Sequence, residues 1–291
     1  MTSAQEIRDF LISRREKLRP EDVGLPRGTR RRVPGLRREE VATLAGVSID
    51  YYVQVERGQV NGVSDEVLAA IARALRLDDA ERAHLFDLAR GSSSTRRVRP
   101  APVRLPATLQ QLLDAMTEAP AVIETGTLDI VAANALGRAL YRPVLESQAA
   151  PNMARYVYLD PDAVRFFDDW DAIADDVAAM LRLESARAPG SAVETLVEEL
   201  LSGSEAFERR WNAHDVVDHR RGAKIVHDAE VGELRLRYEA LEVVAMPGIR
   251  LIGWTPYPDH PVTFSTAPGS SRMSRCRPAG PRHDRYPQSH A

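Results

Sequence analysis

Residues 38–57, REEVATLAGVSIDYYVQVER, leave this chain the fewest ways to fold. Two short helices can cross closely only where the first presents a small side chain, and Ala42 supplies one. The turn between them needs a residue that tolerates positive φ, which Gly46 does without steric cost. Val41, Ala45, Val47, Tyr52 and Val55 then tie both helices to one core. Ser48, just past the turn, is a good N-cap for the second helix. Ile49, Asp50, Tyr51, Val53, Gln54 and Arg57 are left as candidates for an outward face, several with hydrogen-bonding tips. Such a face suits the major groove of double-stranded DNA.

The flanking segments complete a small bundle. Ile7, Phe10, Leu11 and Leu18 form a helical stripe over residues 4–18. Val67, Leu68, Ile71 and Leu75 repeat it over 65–75, opened by Ser64 as a cap. Leu85, Phe86 and Leu88 follow the Asp78-Asp79 start signal over 79–90. The spacing predicts five helices and no strand over residues 1–91, enough for an independent core. Between the first two helices lies PEDVGLPRGTRRRVPGLR, whose prolines and glycines argue against a continuous helix. Its Arg27, Arg30, Arg31, Arg32 and Arg37 read either as a solvated loop or as phosphate clamps beside the groove-facing helix.

The chain as a whole carries a formal net charge of −3, which says nothing about nucleic acid. Its distribution says more. Residues 1–99 hold 19 of the 39 Lys+Arg and 15 of the 42 Asp+Glu, a net of +4, while the remainder holds 20 against 27, a net of −7. A basic head on an acidic body fits a DNA-binding part joined to one that phosphates would repel. The lone cysteine, Cys276, excludes an intrachain disulfide and a cysteine-based metal site. No apolar leader and no run of about eighteen apolar residues is present, so a soluble cytoplasmic protein with no membrane partner is expected.

At 291 residues two domains fit comfortably. GSSSTRRVRPAPVRLP marks a linker over 92–106. From residue 107 to 257 the pattern changes. AVIET and LDIVAA read as a strand pair, followed by helices over 134–141, 152–184 (broken near Asp160-Pro161) and 191–213 (broken at Gly203). AKIVHDAEVGELRLRYEALEVVAMPGIRLIGWTP reads as three further antiparallel strands. This order predicts a PAS-like α+β domain with a five-stranded antiparallel sheet. Residues 258–291, rich in Pro, Arg, Ser and His, are expected to be disordered.

AGVSIDYYVQVERG resembles the XRE-type helix-turn-helix of phage repressors. Together with the basic insertion VGLPRGTRRRVPGLRREEVATLAGVS and the segments VAANALGRALY, NMARYVYLDPDA and WNAHDV, it gives a resemblance to the MmyB-like transcription regulators over residues 5–257. The resemblance implies a lambda-repressor-like five-helix head followed by a PAS-like ligand sensor. It also suggests a fatty acid or other small apolar molecule as the ligand. The tail departs from the family's usual ending, a short further segment that closes on a helix.

Nothing in the chain reads as an enzyme's centre. His214 and Asp215 are adjacent, so on a helix they point apart and cannot form a relay. His214, His219 and His227 have no regular ligand spacing, and neither a phosphate loop nor a nucleophile elbow occurs. No catalytic residue, metal or cofactor is therefore assigned. Within the family-like segments, Asn134, Arg155, Trp211, His214 and Tyr238 are candidate ligand contacts, with Arg155 able to meet a carboxylate bidentately. The bland alternatives are that Asn134 caps its helix and Arg155 pairs with a local acid. On the head, Ser48, Asp50, Tyr51 and Gln54 would address base edges or nearby backbone, Gln54 suiting adenine N6 and N7; Ile49 or Val53 suits a thymine methyl, and Arg38 and Arg57, with the basic loop, phosphates. One head buries little surface, so a homodimer on a palindromic site is expected, with half-sites about one helical turn apart. The competing readings are an enzyme acting on a small molecule in the second domain, and an antitoxin or adaptor that shares only the head.

Overall fold

The computed structural model describes residues 3–26, 33–91, 103–187, 192–215, 221–258, 262–267 and 270–275. Its N-terminal part is built from α1 (Ser3–Lys17), α2 (Arg38–Ala45), α3 (Ile49–Glu56), α4 (Asp65–Ala74) and α5 (Asp79–Gly91), with a 3-10 turn at Pro20–Val23. Local chemistry sets several of these boundaries. Glu40 Oε2 accepts from the Arg37 N–H at 2.6 Å to open α2. Ser48 and Ser64 hydroxyls accept from the N–H groups of Tyr51 and Val67, capping α3 and α4. Asp78 and Glu81 cap reciprocally before α5. Gly46 closes α2 at φ 69, where a side chain would be strained. Ile7, Phe10, Leu11, Val41, Ala42, Tyr52, Val55, Leu68, Ile71, Leu85 and Leu88 converge in a single head core.

The second part runs α6 (Ala107–Asp114), β1 (Ala121–Thr125), β2 (Ile130–Ala133), α7 (Ala135–Leu140), α8 (Arg142–Glu146), α9 (Met153–Leu159), α10 (Ala163–Phe166), α11 (Trp170–Arg187), α12 (Ala192–Gly203), α13 (Glu205–Asn212), β3 (Arg221–Asp228), β4 (Gly232–Glu242) and β5 (Ile249–Pro256). The five strands form one antiparallel sheet in the order β2-β1-β5-β4-β3. This is the α+β architecture that the sequence predicts. Register puts Val122 opposite Ile252, Tyr238 opposite Trp254 and Val226 opposite Leu234. Because successive strand residues alternate faces, Val122, Val226, Leu234, Leu236, Tyr238 and Trp254 look inward onto the helices, with Phe166 and Phe167 in the same core. Ala121, Ile123, Ile249 and Leu251 look the other way and are covered by Leu113 of α6.

One expectation changes. Part of the tail is ordered: β6 (Val262–Ala267) pairs antiparallel with β7 (Ser270–Arg275), and the hairpin backbone lies beside α7. Val262, Thr263 and Thr266 are β-branched and favour a pleated strand, a local preference that the segment's overall composition masks. Residues 276–291 lie outside the described residues, as do 92–102 of the linker. The two domains share a core boundary that the sequence pattern does not address. Leu183 and Ala186 of α11, only 4% and 3% exposed, are buried in the core of the head.

Candidate nucleic-acid interface and ligand cleft

The two motif helices are held by a buried ion-pair network. Glu56, at the end of α3, is 1% exposed. Its carboxylate accepts from Arg15 Nε of α1 at 2.9 Å and from Arg38 Nε of α2 at 2.7 Å. Arg15 also donates to the Leu36 carbonyl at 3.0 Å. One carboxylate therefore joins α1, α2 and α3. Burial, and then the neighbouring Glu56, raise the Tyr52 hydroxyl well above its usual pKa, keeping it neutral in the core.

With Tyr52, Val55 and Glu56 fixed inside, the opposite edge of α3 faces solvent. Ser48, Ile49, Asp50, Gln54 and Arg57 are exposed, Ile49 by 51%. Val53 is half-buried at the flank. Tyr51 is half-buried too and packs on the head core, so it stands beside the outward face rather than at its centre. Arg38 is half-exposed while its guanidinium holds Glu56, so it presents a tethered charge. Arg37 is exposed at the mouth of α2, 3.3 Å from Glu39. Arg27, Arg30, Arg31 and Arg32 lie outside the described residues.

The five candidate ligand contacts do not converge. Asn134, 1% exposed, is saturated: Oδ1 accepts from the N–H groups of Ala121 and Gly137, and Nδ2 donates to the carbonyls of Met116 and Ala119. It caps α7 and ties it to β1, with no polar atom left for a ligand. Arg155 is engaged bidentately by Glu199 of α12, at 2.8 Å from Nε and from Nη2. Trp211 and His214 lie where the sensor meets the head. Trp211 stacks on Phe207 at 5.4 Å, and Arg182 covers its ring at 4.0 Å. Tyr238 lies beside a recess, with the Lys224 ammonium 5.2 Å from its ring centroid and Trp254 on its flank.

That recess is a cleft of ≈ 400 Å³ between the start of α11 and strand β3. Ala172, Ile173, Ala223, Ile225 and Tyr257 give it apolar walls, while Asp168, Asp169, Asp176, Lys224 and Arg235 carry charge around them. Behind Lys224 the inner sheet face holds an unusual polar patch. Glu124 and Arg250 are cross-strand neighbours with Oε1 and Nη2 2.9 Å apart. Burial lowers the Lys224 pKa, opposed by Asp176 and Glu124, and burial raises Glu124, opposed by Arg250 and Lys224. Tyr238 is pushed up to about 12, first by burial and then by Asp176 and Glu124. Trp254 Nε1 and Arg250 Nε are buried here without a hydrogen-bond partner. Sequence reasoning missed the cleft: its acidic wall and Lys224 are some fifty residues apart, and only strand register joins them.

A helix-turn-helix head on an α+β domain with a ligand-sized cleft defines a transcription regulator responsive to a small molecule, which is not an enzyme class. Residues 9–85 match a helix-turn-helix domain family, and residues 105–265 match the MmyB-like transcription regulator ligand binding domain. The second match spans more than half of the chain, which therefore belongs to the MmyB-like transcription regulator family. No curated protein matches the chain individually. Among the described residues, no helix is long and apolar enough to cross a membrane.

Proposed function

We propose that the chain is a cytoplasmic, sequence-specific regulator that binds a palindromic operator as a homodimer through the exposed edge of α3. The observation that carries this is the division of one short helix. Tyr52, Val55 and Glu56 are locked in the core, while Ile49, Asp50, Gln54 and Arg57 are left projecting. In this reading Gln54 addresses a base edge, Ile49 or Val53 a thymine methyl, and Arg37, Arg38 and Arg57 the phosphates. The arginines at 27, 30, 31 and 32 extend the phosphate contact.

The regulatory ligand in this proposal is a small amphiphile, with an apolar body against Ile173, Ile225 and Tyr257 and a polar end near Lys224. Cleft size and mixed lining support that reading. The test is a selection of bound DNA sequences with the purified full chain, repeated with Gln54→Ala. The variant should lose about 1–3 kcal/mol at one position of each half-site and relax the preference there. An unchanged preferred sequence and affinity would refute the reading face.

A further inference from the structure

Helix α11 takes part in two different sites along its length. Near its start, Ala172, Ile173 and Asp176 form one wall of the cleft. Near its end, Leu183 and Ala186 are inside the head core, and Arg187 Nε lies 3.6 Å from Asp87 of α5. Leu183 follows Ala172 by eleven residues, about 16 Å of continuous helix. Arg182, 4% exposed, donates to the Trp211 carbonyl and stacks on that ring, so α13 is fastened to α11 at the same level.

The chain leaving α13 meets the head directly. His214 holds φ 56, in the left-handed region that few non-glycine residues enter and that histidine enters more readily than most. In this position its carbonyl accepts from Arg14 Nη2 of α1. The same guanidinium is 3.2 Å from Asp215, which also pairs with Lys17, and its other amine is 2.9 Å from Glu81 of α5. The WNAHD segment is therefore a latch on α1, whose Arg14 in turn holds Glu81 of α5, and among the described residues the exposed edge of α3 is not part of this contact.

We propose that α11 carries the state of the cleft to the head: a molecule lodged against its first turns shifts the helix, and the head, packed around its last turns and latched by Asp215, moves with it. This deepens the regulator reading and rests on it for its biological purpose. A rigid element shared by two sites can couple them only if the occupant favours one placement of that element over another. Couplings of this kind change an equilibrium by about 5–150-fold.

The experiment fills the cleft without needing its ligand. In the full chain, Ala223→Trp introduces a ring from β3, the wall that is not α11, and Ala172→Trp introduces one from α11. Both alanines are exposed, so the fold has room for them. Amide hydrogen exchange is followed in peptides covering residues 3–17 and 79–91. Ala223→Trp should change exchange in both peptides at least fivefold, and Ala172→Trp should do the same. The response should vanish in a background carrying Leu183→Ala and Asp215→Asn, sensor-side changes that leave Arg14 paired with Glu81. Head peptides at wild-type rates in Ala223→Trp, or a response that survives the unlatched background, overturn the proposal. DNA selection with Gln54→Ala is read separately, so failure of this coupling and failure of the regulator reading give different results.

Discussion

Replacing Glu56 by alanine should unfold the head long before it disturbs the sensor. The substitution strands the Arg15 guanidinium, whose side chain is only 10% exposed, beside an empty site. At 2.9 Å and an effective dielectric of about 20, the lost attraction is about 6 kcal/mol gross. Measured losses on breaking such buried pairs fall at about 3–5 kcal/mol, because the remaining charge recovers some hydration. Arg38, half-exposed, adds about 1 kcal/mol at most. A head of this size stands only about 5–15 kcal/mol above unfolding, so the change removes a large share of its stability. The three tryptophans, Trp170, Trp211 and Trp254, all belong to the sensor. Far-UV circular dichroism in urea follows the helices of both domains and so includes the head, while tryptophan fluorescence follows the sensor alone. The dichroism transition should move to lower urea and separate from the fluorescence transition. Arg15→Met combined with Glu56→Met should recover most of the loss, since a well-packed apolar pair often equals a buried ion pair. A Glu56→Ala loss under about 1 kcal/mol would refute the network as the head's keystone.

Other expectations concern the pH response, the saturated asparagine and the basic loop. His84, 2% exposed and edge-on to Phe10 at 4.9 Å, is lowered from 6.5 to about 3, by burial first and then by Arg182 and Arg14. The unfolded chain takes up this proton below 6.5 and the folded one does not, so stability falls with decreasing pH across that interval, by at most about 1.4 kcal/mol per unit. Denaturation at pH 7, 6 and 5 should show the slope, and His84→Gln should flatten it. Asn134→Ala deprives two N–H groups and two carbonyls of partners at about 1–3 kcal/mol each where burial is complete. The sensor's fluorescence transition should shift by at least about 3 kcal/mol, and a smaller shift would mean that water replaces the side chain. Arg31→Ala should weaken binding to all DNA sequences alike and reduce the slope of log affinity against log salt by about 0.9. A selective loss at one base position would instead make Arg31 a base reader.

Much of the head can be read from sequence because its signals are local. The small residue at Ala42, the left-handed Gly46 and the Ser48 cap act within a few residues of themselves, and helical period places Tyr52 and Val55 inside. Period is less decisive at the flank of an eight-residue helix, where Tyr51 turns out to lean on the core. The motif's Glu56 shows no partner in sequence, because Arg15 and Arg38 reach it from other helices. In the sensor, residues of the distinctive segments are engaged by partners within the protein. Asn134 and Arg155 meet the bland alternatives that their residue types allow, a helix cap and a local ion pair. Trp211 and His214 serve the boundary between domains.

Sequence alone determined the order of the main helices and of the five sheet strands, a helical head ahead of an α+β part, and the face of α3 that turns outward, since each follows from propensity, capping and periodicity over short spans. Tertiary structure alone decided where the cleft opens, which polar side chains are already spent, and that α11 ends inside the head. Those outcomes depend on residues distant in the chain meeting at hydrogen-bonding range, and pairing of that kind leaves no periodic trace in either partner's neighbourhood.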